Sequence, residues 1–210
     1  VYNAPSVDDL KDARDQQSED IKDELEESLD EAKKLNKNLE DLRRQLLEKE
    51  DLTWQDKKRL EELLKKQQEL QKKVDQLASE NEQKNQQQNE FNQPNEDVLE
   101  KQKQLQDLMN EVMSEEMREM YQELQRMMEE LDKNKIQEQL QEMDFSQEDL
   151  EKELERALEQ FKQMEWEQKM EETIDALEKL ADEQNKLAEE TEQNQYKEKK
   201  LAPTPLGADV

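Results

Sequence analysis

Cysteine and histidine are absent from the 210-residue chain, and glycine occurs only once. Disulfides, zinc sites built from Cys and His, thiol nucleophiles and histidine acid–base catalysis are therefore excluded. The single glycine is Gly207, so no glycine-rich phosphate loop or dinucleotide fingerprint can form. From these absences we expect no catalytic residue, no cofactor and no metal site, and we predict that the chain is not an enzyme.

Apolar residues are also scarce, because they make up 30% of the chain and aromatic residues only 4%. That content is too low for a β-sandwich, a β-barrel or a doubly wound α/β sheet. The 59 acidic side chains outnumber the 32 basic ones and give a net charge of −27. Such a charge repels nucleic-acid phosphates and anionic lipid head groups, and the chain has no apolar run of the roughly 18 residues that a membrane span needs. We expect neither a nucleic-acid partner nor direct membrane insertion by this segment.

What the chain does contain is a heptad pattern of apolar residues from Ile21 onward. Spacings that alternate between three and four residues place one narrow apolar stripe on one side of a long helix. Ser28 is the polar exception in the first stripe, whose apolar members are Ile21, Leu25, Ala32, Leu35, Leu39, Leu42 and Leu46. The predicted fold class is all-α, with long helices in antiparallel coiled-coil hairpins or an elongated helical bundle and no β-sheet.

The first break between helices is predicted at residues 51–53. Thr53 has the features of an N-cap, and Asp56 follows three residues later as the acidic partner of a capping box. A second heptad run then begins, in which Gln67 is the polar member among Leu60, Leu63, Leu70, Val74 and Leu77. Two helices joined by a short turn predict an antiparallel hairpin in which each arm covers the stripe of the other.

Two further breaks are predicted along the chain. The seam becomes polar from Asn81 and Pro94 disfavours helix, so residues 85–95 are predicted to form a loop. Ser146 and Asp149 have the pattern of a second capping box, at the start of the last long helix. The predicted segments are an N-terminal extension at 1–6, a first helical hairpin at 7–84 with helices at about 7–50 and 54–84, a Gln/Asn-rich loop at 85–95, a second helical unit at 96–195 with helices at about 96–131, 135–143 and 146–195, and a flexible C-terminal tail at 196–210.

Methionine is concentrated in the predicted third helix, which holds six of the nine methionines of the chain. Thioether side chains are flexible and polarisable, so a Met-rich face can adapt to protein partners. The alternative is that these side chains fill an irregular core, and copper binding would lack an accompanying His or Cys. The candidate protein-interaction residues of this helix are Met109, Met113, Met117, Met120, Met127 and Met128.

Three aromatic residues complete the candidate protein-interaction set. Trp54 and Trp166 lie near predicted helix junctions or packing layers, and we interpret them first as structural anchors and second as contacts for a partner. Phe91 lies in the predicted polar loop and is the aromatic residue that we least expect to be buried within the chain.

The narrow seams also predict an association. Docking of an apolar stripe supplies most of the stability of a helix in water, whereas ordering the backbone costs roughly 1–2 kcal/mol per residue. Stripes with only two apolar positions per heptad leave a monomer with a small net free energy of folding. We therefore predict that helical faces pack against another copy of the chain or another protein, and that acidic self-repulsion makes the fold more stable at moderate than at low salt.

Several short sequence segments resemble those of a known family. They are Leu52-Thr53-Trp54-Gln55-Asp56-Lys57-Lys58, Leu63-Leu64-Lys65-Lys66-Gln67-Gln68-Glu69-Leu70 and Leu150-Glu151-Lys152-Glu153-Leu154-Glu155-Arg156. With them, residues 51–190 resemble the helical region of a family of large, membrane-anchored envelope proteins of the Bacteroidota, whose function is uncharacterised. The resemblance implies that this is a portion of a longer protein, located in the periplasm or cell envelope. It supplies no catalytic residue, and the residues themselves do not choose between that location and the cytoplasm.

Two functional hypotheses follow from the sequence. The first is a non-enzymatic coiled-coil scaffold of a larger envelope-associated protein, which acts through helix–helix contacts with protein partners or with itself. The second is a holdase-like module that grips exposed apolar segments of client proteins in a Met-rich helical groove.

Overall fold

The computed structural model describes residues 6–49, 51–91, 96–112, 115–130 and 133–201, and within these ranges it contains helices and no strand. The all-α prediction is confirmed. The helices are α1 (Val7–Glu48), α2 (Trp54–Phe91), α3 (Glu96–Glu111), α4 (Glu115–Glu130) and α5 (Lys133–Leu201). The chain divides into two compact units, of which the first ends at Glu165 and the second begins at Trp166.

In the first unit, α1 and α2 form the predicted antiparallel hairpin. Lys73 of α2 forms an ion pair with Glu27 of α1 at 2.7 Å, about halfway along the hairpin. Closer to the turn, Arg59 donates to Gln45 at 2.7 Å. The paired residue numbers rise in one helix as they fall in the other, which is the signature of antiparallel packing.

The remaining helices complete an up–down–up–down bundle. Along α2, Asn89 donates to Gln102 of α3 and Arg118 of α4 donates to Asp75, so α3 and α4 together form one column antiparallel to α2. The fourth column is the first part of α5, which lies antiparallel to α1. Ion pairs mark this contact between Lys33 and Glu155 at 2.8 Å and between Lys162 and Glu26 at 2.6 Å.

A single apolar core runs between the four columns. Its residues come from the heptad positions of each helix, and the polar members Ser28 and Gln67 are buried with them, as the heptad pattern predicts. Among the most deeply buried side chains are Ile21, Leu25, Leu46, Leu60, Leu70, Leu77, Leu105, Leu124, Ile136, Leu140 and Phe161.

Two capping boxes fix the starts of the hairpin helices. The Thr53 hydroxyl accepts from the backbone N–H of Asp56 at 3.3 Å, and the Asp56 carboxylate accepts from the Thr53 N–H at 3.0 Å, so this predicted box is confirmed. Ser6 and Asp9 form the same arrangement at the start of α1. Each box satisfies backbone donors that a helix start leaves unpaired.

The predicted loop at 85–95 differs from the structure, because α2 continues to Phe91. The heptad spacing of the α2 core positions does not stop at Leu77. It continues through Asn81, Lys84, Asn85 and Gln88, which are all buried although they are polar. The helix therefore continues because its buried positions keep the helical spacing, although most of them are amide side chains. Residues 92–95 lie outside the described residues.

The third column, predicted as one helix over 96–131, is interrupted between α3 and α4. The buried positions of α3 keep a spacing of three or four residues up to Val112, and those of α4 keep it from Met117, which lies five positions after Val112. Five residues turn an α-helix by about 140° beyond one full turn, which would carry Met117 away from the core. The core register of the third column therefore changes between α3 and α4, and residues 113–114 lie outside the described part.

In contrast, α5 continues through the expected breaks at 144–146 and 195. Core positions Ile136, Leu140, Met143, Gln147 and Leu150 keep the alternating spacing of four and three, so no register change is needed at Ser146. A capping pattern in the sequence permits a helix to start there but does not require it. It is not used where the apolar stripe passes through it unshifted.

Candidate functional site

The methionine candidates lie mostly inside the bundle. Three are buried, two are partly buried against the core, and one lies outside the described residues. They are, in that order, Met109, Met117 and Met128, then Met120 and Met127, and finally Met113. The described part of the Met-rich face therefore packs into the core of this chain, which is the alternative that the sequence left open.

The two tryptophans lie on the surface, which contradicts their interpretation as structural anchors. Trp54 is the first residue of α2 and is 75% exposed, with the ammonium of Lys58 at 5.7 Å from the centroid of its ring system. Trp166 is 63% exposed. Phe91 ends α2, and its side chain lies outside the described part of the chain. Both tryptophans are accessible to a partner.

Trp166 opens a row of exposed apolar side chains along the second unit. The six members are each between 46% and 63% exposed and recur at helical spacing. We call this row the α5 face; it consists of Trp166, Met170, Ile174, Leu177, Leu180 and Leu187. A continuous apolar row of this kind on a helix is typical of a surface that packs against another helix.

The α5 face does not continue the register of the bundle core. The core register of α5 passes through Leu154, Phe161 and Met164. Continued with the same spacing, it reaches Glu171, Asp175, Glu178 and Asp182, which are acidic. Within the second unit the apolar row is offset from these acids by about two residues, or roughly 200° around the helix. The second unit thus has one apolar and one acidic side.

A buried charge marks one end of the first unit. Lys84 is 1% exposed, donates to the carboxylate of Glu165, and lies 4.6 Å from the centroid of the Phe161 ring. Burial lowers the pKa of Lys84, and the opposing attraction of Glu165 offsets this only in part. The ammonium contacts one carboxylate and one aromatic face. Its burial removes water that would otherwise hydrate the charge.

Amide side chains surround the same end of the bundle. Asn81 donates to Gln106 at 3.1 Å, and Gln106 donates in turn to the carbonyl of Ala78 at 3.0 Å. Several other amide atoms are buried without a hydrogen-bond partner among the described residues, including Oδ1 of Asn85 and Nε2 of Gln102. Unpaired buried polar atoms cost free energy, so this end of the first unit is held together less tightly than the leucine-rich end.

A second polar contact lies near the middle of the core. Gln147 of α5 donates to the Tyr121 hydroxyl, and both side chains are buried. Burial raises the pKa of Tyr121, while the hydrogen bond from Gln147 opposes that shift. The Gln67 amide also donates to the thioether of Met117 at 3.8 Å. These contacts tie α2, α4 and α5 together at one level of the bundle.

The described side chains show no group of three or more carboxylates placed to hold a metal ion. Among the described helices, none is both long and apolar enough to cross a bilayer. Surface grooves between the columns are lined by charged residues, such as Lys101, Asp107, Arg156 and Glu159 between α3 and α5. Six of the nine large apolar side chains that are exposed among the described residues belong to the α5 face.

Comparison with known proteins identifies no relative: no family model, no curated protein and no solved structure matches the chain.

Sequence reasoning identified Trp166 as a candidate but missed the rest of the α5 face. The last predicted helix carries apolar residues in two registers, and the heptad spacing alone does not separate them. The signal that could have separated them is the run of acids from Glu171 to Asp182 at the positions where the core register should have continued. Lys84 was missed as well, because a lysine in a polar stretch gives no sign of burial.

Proposed function

We propose that this chain is a non-enzymatic scaffolding module that acts through helix–helix contacts. The observation that supports this most directly is the α5 face, an apolar row at helical spacing whose side chains are about half exposed or more. Burying such side chains in a partner contributes roughly 1.5–3 kcal/mol each. An exposed apolar row on the second unit suits a protein that acts by binding another helix.

The holdase alternative finds less support in the arrangement of the methionines. A client-binding groove needs thioethers that a client can reach. Met109, Met117 and Met128 are each at most 4% exposed, so the bundle would have to open before they could bind a client. The scaffold proposal needs no such opening, because the α5 face is already accessible.

The proposal is tested with one variant pair. The face variant Leu177→Glu/Leu180→Glu places two charges in the α5 face. The control variant Lys179→Gln/Lys186→Gln changes the net charge by the same amount on the opposite side of the helix. Affinity capture with the tagged full-length protein from its native cells should recover a stoichiometric assembly with the wild-type and control chains, and lose it with the face variant. Equal recovery with all three would contradict the proposal.

We further propose that the assembly belongs to the cell envelope, as part of a larger envelope-associated protein. This step is supported by the family resemblance of residues 51–190. Protease added to cells with a permeabilised outer membrane but an intact inner membrane should digest the native protein. Complete protection of the protein, with a periplasmic control digested, would contradict an envelope location.

A further inference from the structure

We propose that a second copy of this chain covers the α5 face, in an antiparallel pair of helices centred between Glu178 and Lys179. This inference rests on the proposed function and specifies the partner. The α5 face follows a heptad pattern whose two core positions recur at Met170, Leu177 and Gln184 and at Thr173, Leu180 and Leu187. These are the positions that face a partner helix in a two-stranded coiled coil.

The order of apolar and polar residues fits a reversed copy. With the helices antiparallel about the proposed centre, Leu177 faces Leu180 of the second copy and Met170 faces Leu187 of the second copy. Thr173 faces Gln184 of the second copy, so the polar core residues meet each other instead of leucines. Each of these pairs occurs twice, because the two copies are related by a twofold axis.

The charged residues that flank the core positions favour the antiparallel orientation of the two helices. Side chains beside the core set the orientation of paired helices through attraction and repulsion. In the reversed pair, Lys169 lies beside Glu190 of the second copy, on both sides of the axis. On the other flank, Ile174 lies beside Ala181 of the second copy, which extends the apolar contact. No like charges meet at these flanking positions.

A parallel pair of the same helices lacks this complementarity. In register, Lys169 would lie beside Ile174 of the second copy and Glu183 beside Ala188 of the second copy. The two Lys169–Glu190 ion pairs of the antiparallel arrangement would therefore not form. The lysine and the glutamate would stay at opposite ends of the pair. The sequence of the face therefore favours self-association with reversed polarity over the parallel arrangement.

Disulfide trapping with the full-length chain tests the inference, because the natural chain has no cysteine to interfere. The variants Met170→Cys and Leu187→Cys are oxidised separately and as an equal mixture. An antiparallel pair should give a disulfide-linked dimer in the mixture and not in either variant alone. A dimer in each separate variant would reveal a parallel pair and overturn the inference, and so would the absence of any dimer.

Charge reversal gives an independent readout that does not disturb the core. Lys169→Glu or Glu190→Lys should each weaken the dimer about tenfold in sedimentation equilibrium, since two ion pairs become repulsive contacts. The double variant Lys169→Glu/Glu190→Lys should restore the affinity to near the wild-type value. Failure of the double variant to recover affinity would overturn the proposed register.

The failure of this inference can be told from the failure of the proposed function. If the wild-type chain remains a monomer while the face variant still abolishes capture of a native assembly, the α5 face binds a different protein and only the inference fails. If the face variant changes neither self-association nor capture, the proposed function fails with it.

Discussion

The ammonium of Lys84 in α2 forms an ion pair with the carboxylate of Glu165 in α5, and the two side chains differ in exposure. Lys84 is 1% exposed, whereas the Glu165 side chain is 17% exposed. Removing one partner of a buried pair is costly mainly because the other charge is left without compensation. The contact is therefore asymmetric, since only Glu165 retains access to water if its partner is lost.

Two substitutions test this asymmetry. Glu165→Gln should lower the free energy of unfolding by about 2–3 kcal/mol, because it leaves the Lys84 ammonium without a counter-charge. Lys84→Met should cost less than about 1 kcal/mol, since it removes a charge whose burial is costly and leaves a carboxylate that reaches solvent. Urea denaturation followed by circular dichroism measures both, and equal losses would contradict the assigned asymmetry.

The same lysine should make stability depend on pH on the alkaline side. Burial lowers the pKa of Lys84 in the fold, so the folded chain releases this proton at a lower pH than the unfolded chain, where a lysine pKa is about 10.4. In that window the unfolded state binds more protons, and the contribution of Lys84 to stability rises with pH. The unfolding free energy of Lys84→Met relative to the wild type should therefore be highest at neutral pH and fall as the pH approaches 10.4. A constant difference in unfolding free energy over this range would refute the shift.

The capping carboxylate Asp56 should behave in the opposite way. Asp56 is 3% exposed, and although burial raises its pKa, hydrogen bonds from Lys49 and Thr53 outweigh that effect and lower it. Its stabilising contribution is thus present above the ordinary Asp pKa of about 3.9 and is lost as the pH falls through the lowered value. Asp56→Asn should cost about 1–2 kcal/mol at pH 7, with a difference from wild type that narrows in acid.

Asp9 provides the matched control for that measurement. It occupies the same position in the Ser6 capping box, but it is exposed to solvent. Asp9→Asn should therefore lower the thermal unfolding midpoint less than Asp56→Asn does. A larger loss at Asp9 would show that burial of the capping box is not what matters.

Substitution of a buried amide at the amide-rich end of the bundle should increase the stability of the fold. Asn85 is 8% exposed and its Oδ1 has no hydrogen-bond partner. Asn85→Leu should raise the free energy of unfolding by about 1–2 kcal/mol, because it replaces an unpaired polar atom with apolar surface. Gln87→Leu, at an exposed position of the same helix, should leave stability nearly unchanged. If Asn85→Leu destabilises the chain, the amide makes a contact that the unpaired oxygen does not reveal.

Much of the bundle could be predicted from the heptad spacing. The first stripe, including buried Ser28, and the capping box at Thr53 depend on local spacing and local hydrogen bonds, which the sequence states directly. The interruption between α3 and α4 could not be located in this way, because it reflects the need to return Met117 to the core after an added residue. That need exists only once the other columns are in place.

The exposure of the α5 face could not be predicted for a related reason. Leu177 and Leu180 have the same spacing as core leucines, and spacing alone does not say which partner covers them. From Glu171 onward, acids occupy the positions of the core register, so the apolar residues of this segment follow a different register. The burial of Lys84 also depends on tertiary packing, because it requires Phe161 and Glu165 from a distant part of the chain.

Hydrogen exchange along α5 in the purified full-length chain tests the central claim most directly. An uncovered single helix of this composition is marginal in water, whereas a helix docked through the α5 face is protected. The account predicts slow exchange of the amides from Met170 to Leu187 that becomes fast in Leu177→Glu/Leu180→Glu and stays slow in Lys179→Gln/Lys186→Gln. Equal exchange of this segment in the wild type and both variants would contradict the claim that the α5 face binds a second copy of the chain.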